Sequence, residues 1–137
     1  MSQEALEYYQ LLEQVYNIEI SLYKKLKDMQ DLRKKITELK KKIAKENQKC
    51  QEKLLKVKDY RSQGEDDKAF KEEVATKKIE ASIAQKELEI RELNKKITKL
   101  QREIDDLEAE LKDAEQRAES AKPKETSAET ESSDDSL

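Results

Sequence analysis

The sequence predicts an all-α coiled-coil protein folded as a long antiparallel helical hairpin. Three observations lead there. Charged residues make up 45% of the 137 positions, with one Gly, one Pro, one Phe and no Trp; globular domains carry about 25% charged residues and clearly more Gly and Pro. Apolar residues recur at three- and four-residue steps through two long stretches, the spacing of one helical face. Gly64, the one glycine, falls between those stretches. So narrow a seam cannot wrap a catalytic pocket in a dry core, so an elongated fold that associates further is expected. The alternative is an extended parallel dimeric coiled coil.

The first helix is expected within residues 1–61. Its seam runs Val15, Ile18, Leu22, Leu26, Met29, Leu32, Ile36, Leu39, Ile43, Asn47, Cys50, Leu54 and Val57. The twelve steps across these 42 residues average 3.5, the period of a left-handed coiled coil. Two successive four-residue steps at 39–43–47 resemble a stutter, where the supercoil relaxes. There Asn47 either puts a register-fixing amide into the seam or is left on the flank by the phase shift.

A turn is expected over 62–67. Glycine just past a helix end adopts the left-handed cap conformation with little strain. Asp66 or Asp67 can then cap the next helix, and Glu72 and Glu73 suit its positive end. That second helix is expected over 68–121. Ile90, Ile97 and Ile104 alternate there with Leu93, Leu100 and Leu107, followed by Leu111, Ala114, Ala118 and Ala121. β-Branched residues alternating with Leu favour two-stranded parallel packing when the partner is an identical helix, and the alanines thin the core near the end or admit another helix closely. A turn at 64–65 makes position i face about 129 − i, which sets Val15 on Ala114, Leu22 on Leu107 and Leu39 on Ile90.

Charge is distributed in blocks. Residues 33–58 carry +8 and residues 103–137 carry −9, within a whole of −3. A single hairpin leaves both poles unneutralised, whereas staggered pairing between molecules, basic middle to acidic end, neutralises both.

Several function classes are excluded on composition. There is no His, and Cys50 is the only cysteine, so the commonest acid–base catalyst and a Cys-based metal site are both missing. No Gly-rich phosphate loop, zinc-ligand spacing or nucleophile–base pair occurs. Exposed carboxylates on a helical surface lack the desolvation that tunes a catalytic acid. No catalytic, cofactor, metal or small-molecule site is therefore expected. No secretory signal and no run of about 20 apolar residues is visible, and an intracellular, cytoplasmic or nuclear location is expected.

The N-terminal arm carries the candidate docking residues Leu6, Tyr9, Leu12, Tyr16, Ile20 and Tyr23. They widen the apolar arc from about 60° to about 200°, more than a two-helix seam needs. Tyr9, Tyr16 and Tyr23 recur at heptad spacing, and tyrosine is enriched in protein interfaces. The competing reading is that this arc covers only the end of the second helix. The lysine-rich segment 33–58 disfavours nucleic acid, because its cations spread around the helix and no aromatic precedes Tyr60. The tail 122–137 lacks the apolar residues that ordering requires. Thr126 and Ser132 each precede an acid by three residues, which makes them candidate phosphosites.

Small helical chaperones and many subunits of tethering, cytoskeletal or kinetochore assemblies share this hairpin plan, a likeness of architecture that does not fix function. The expectation is a structural or adaptor subunit acting as a homo- or hetero-oligomer through its helices. A holdase chaperone is the alternative, and nucleic-acid binding through 33–58 comes third.

Overall fold

The computed structural model describes residues 2–123 as two helices, α1 (Gln3–Ser62) and α2 (Asp66–Ala121). Thr126, Ser132 and the rest of the segment from 124 onward lie outside the described residues. Local hydrogen bonds cap α1 at both ends. The Ser2 hydroxyl accepts the Ala5 N–H at 3.1 Å, a cap of the kind worth about 1 kcal/mol. At the far end of α1, the Glu65 N–H donates to the Tyr60 carbonyl at 2.8 Å and the Gly64 N–H to that of Arg61 at 3.1 Å. This is a Schellman motif, and it requires the left-handed backbone that Gly64 adopts at φ 75°.

The turn is tighter than the 62–67 expected. Only Gln63, Gly64 and Glu65 lie outside the helices. Asp66 and Asp67 already belong to the first turn of α2, where they favour the positive end of the dipole. Glu65 stands in front of the helix instead, its carbonyl accepting the Ala69 N–H at 3.1 Å. Three residues suffice because Glu65 serves both helices, its N–H closing α1 on Tyr60 and its carbonyl opening α2 with Ala69.

The described chain forms two compact units, residues 2–28 with 100–123, and Met29–Lys99. In the first, Val15 of α1 is buried against Ala114 and Ala118 of α2, with Tyr8, Leu11, Leu12, Ile18 and Leu111 packed around them. In the second, Met29, Ile36, Cys50 and Val57 of α1 are buried, together with Ala69 and Thr76 of α2. The Thr76 hydroxyl is satisfied by the Glu72 carbonyl at 2.9 Å. In both units the helix segments run antiparallel, the hairpin arrangement.

From Leu11 to Tyr60 the seam-facing shielded positions of α1 fall at Leu11, Val15, Ile18, Leu22, Lys25, Met29, Leu32, Ile36, Leu39, Ile43, Glu46, Cys50, Lys53, Val57 and Tyr60, with Ala5, Tyr8 and Leu12 also half-buried near the N-terminus. Steps of three and four alternate without a break, so the expected stutter does not occur. Lys25 takes the place assigned to Leu26, Glu46 that of Asn47, and Lys53 that of Leu54. Asn47 lies exposed on the flank, and Leu26 and Leu54 are 46% and 45% exposed.

The reason is visible on α2. Lys25 pairs with Glu103 at 2.8 Å, Lys53 pairs with Glu72 at 3.2 Å, and Glu46 pairs with Lys86. A lysine stem packs along apolar surface while its head reaches an opposite charge, so a charged residue fits the seam wherever α2 supplies the counter-charge. On α2, Ile90, Leu93, Ile97, Leu100, Leu107 and Leu111 are half-buried, while Ile104 is 1% exposed. On α1, Leu22, Leu32, Leu39 and Ile43 are likewise half-buried. Two helices alone leave much of the seam's edge open. Among the described residues no helix is long and apolar enough to cross a membrane.

Candidate protein-docking surface

The first unit builds its surface from adjacent positions of α1. Tyr8 and Tyr9 follow one another, and a helix turns them about 100° apart. Tyr8 therefore packs onto the Val15–Ala114–Ala118 cluster, while Tyr9 stays 54% exposed. Their rings meet at 5.6 Å between centroids, tilted by 46°. Tyr9, the first tyrosine of the ridge, thus touches a ring that itself packs on the core. Tyr16 and Tyr23, one and two heptads further on, are 57% and 70% exposed, with Leu6, Ile20 and Leu26 also open. Tyr16, Ile20 and Tyr23 line a shallow groove of about 550 Å³ on α1, bordered by Glu19, Lys24 and Lys27.

Leu12 behaves differently from the other candidate docking residues. It is half-buried against the core cluster and forms the floor of a second groove, about 530 Å³, with Tyr8, Val15, Ala118 and Glu115. The small side chains at 114 and 118 leave α2 too thin to fill that space. So one of the six expected docking residues serves the chain's own packing, and five remain exposed.

Sequence reasoning missed Tyr8 as the inner anchor and Leu26 as a member of the open strip. Their signal was the strict heptad frame, which places Tyr8 in line with Val15 and turns Leu26 outward. It also passed over exposed apolar residues of the second unit: Leu54 and Leu55 on α1, and Phe70, Val74 and Leu88 on α2. Lys35, Lys42, Lys49 and Lys56 form an exposed row at seven-residue spacing on α1, and none of the four makes an ion pair with another described residue.

Within the second unit's seam the hydrogen bond from Lys86 holds the Glu46 carboxyl below its ordinary value, against partial burial that pushes the other way. Ser82 also faces Glu46, and the Lys86 ammonium donates to its hydroxyl at 2.7 Å. The arrangement is a satisfied structural ion pair. Among the described residues no group of three or more Cys, Asp or Glu is placed to hold a metal ion. No protein-family model matches the chain, and neither a curated protein nor a solved structure matches it significantly.

Proposed function

We propose that this chain is a non-enzymatic coiled-coil structural or adaptor subunit of an intracellular protein complex, docking to its partner through the tyrosine strip of the first unit. One observation carries the reading. Leu6, Tyr9, Tyr16, Ile20, Tyr23 and Leu26 are all at least 44% exposed along one flank of α1, while a different set of residues already packs α1 on α2. Large apolar side chains gathered on one flank mark an interaction site, whereas single scattered ones need no explanation. Tyrosine fits that role because it gives wide contact area with a polar tip and few rotatable bonds.

The test is a Tyr9/Tyr16/Tyr23→Ala variant, with helix content checked by circular dichroism. Wild-type chain should capture one protein in fixed stoichiometry, and the variant should lose it. Capture that survives all three substitutions removes the proposal. Suppression of aggregation of unrelated clients, equally strong in both forms, would favour the holdase reading instead.

A further inference from the structure

The two units carry opposite charge. Residues 2–28 and 100–123 hold 7 basic and 13 acidic side chains, a net of −6, whereas Met29–Lys99 holds 21 basic and 14 acidic, a net of +7. The exposed large apolar residues divide between the same units: Leu6, Tyr9, Tyr16, Ile20, Tyr23 and Leu26 in the acidic one, Leu54, Leu55, Phe70, Val74 and Leu88 in the basic one. The acidic unit taken as a whole therefore suits an occupant that is basic, helical and carries exposed apolar residues of its own. The second unit of another copy has all three properties.

We propose that the partner is a second copy of this chain, with the acidic unit of each copy seated on the basic unit of the other. Pairing like unit with like would set −6 against −6 and +7 against +7, and like charges across an interface suppress association. Reciprocal pairing neutralises both units at once and repeats one contact twice, as an isologous two-fold dimer requires. The exposed row Lys35, Lys42, Lys49 and Lys56 supplies cations on one side. Asp106, Glu108, Glu110 and Glu115, all exposed and outside the ion pairs described, supply anions on the other. The apolar strips add attraction that charge alone lacks, since exposed ion pairs are individually weak. This inference rests on the reading of the chain as an assembly subunit, and names its partner.

Sedimentation equilibrium of the full chain tests it. At 10 mM salt, where the screening length is about 30 Å, the wild type should sediment as a dimer; at 1 M, where it is about 3 Å, the dissociation constant should rise about tenfold or more. Two charge-reversed variants follow, Lys35/Lys42/Lys49/Lys56→Glu and Asp106/Glu108/Glu110/Glu115→Lys. All eight positions are exposed, and circular dichroism verifies that the helices persist. Each variant alone should be monomeric at low salt, and an equimolar mixture should regain dimer mass, because both contacts are again between opposite charges. A monomeric wild type at low salt, or dimers unaffected by either reversal, overturns the proposal. So does a DNA duplex that binds the wild type where no dimer forms. A monomeric wild type that still captures a different protein through its tyrosines would sink this inference and leave the proposed function standing.

Discussion

Ile104→Ala reports most directly on the packing frame. Ile104 is 1% exposed and, among the described residues, is the one large side chain closed off completely. The substitution deletes three buried carbons at about 0.8 kcal/mol each, or about 2.4 kcal/mol of transfer energy. A residual cavity would carry the loss further into the range of about 2–5 kcal/mol for such truncations. Its seam neighbours Leu100 and Leu107 are only half-buried and can settle into the space, so the expected loss is about 3 kcal/mol. Leu26→Ala is the matched control. Leu26 is 46% exposed, so about half of a leucine's burial energy is at stake, and alanine's helix propensity offsets part of it; the loss should be below about 1 kcal/mol. Urea unfolding followed at 222 nm measures both variants, at one protein concentration because self-association would shift the midpoint. If Leu26→Ala costs as much as Ile104→Ala, the strict three–four frame is wrong and Leu26 belongs in the seam.

Further substitutions address the turn and the half-buried pair. Gly64→Ala meets nothing within 4 Å of the added methyl group, so its penalty is purely conformational: about 1–2 kcal/mol for the left-handed backbone, partly offset by a stiffer unfolded chain. A net loss of about 1 kcal/mol is expected, with Gly64→Asn losing less, and an unchanged urea midpoint would refute the Schellman turn. For Glu46 the folded pKa lies below the ordinary 4.5, so its contribution is fully present above that value and fades as pH falls through the folded one. Glu46→Gln should therefore be less stable than wild type at pH 7, and the gap should narrow below pH 4.5. A gap independent of pH would show that the carboxylate's charge is not what stabilises the seam.

Much of the fold was legible in residue order alone. Helix formation depends on local hydrogen bonds and on the recurrence of apolar side chains every 3.5 residues, both of which are written along the chain. Gly64 marked the reversal for an equally local reason, since the left-handed cap favours a residue without a Cβ. The heptad tyrosines 9, 16 and 23 could likewise be placed on one flank by counting, because helical geometry fixes which residues share a face.

What tertiary structure decided was the occupancy of polar levels in the seam. Reading along α1, Leu26 and Leu54 outrank Lys25 and Lys53 as core residues, and Asn47 outranks Glu46. Across the pair the order reverses, because Glu103, Glu72 and Lys86 stand where each charge needs a partner. The free energy of a partly buried charge depends on the group facing it, and that group lies 78, 19 or 40 residues away in the chain. Tyr8 and Leu12 show the same dependence: the alanines of α2 are too small to close the core, so these two side chains turn from the outer surface toward it. Backbone form is a local property and could be read from sequence. Which side chains are covered, and which remain free to bind, is a property of pairs and had to await the fold.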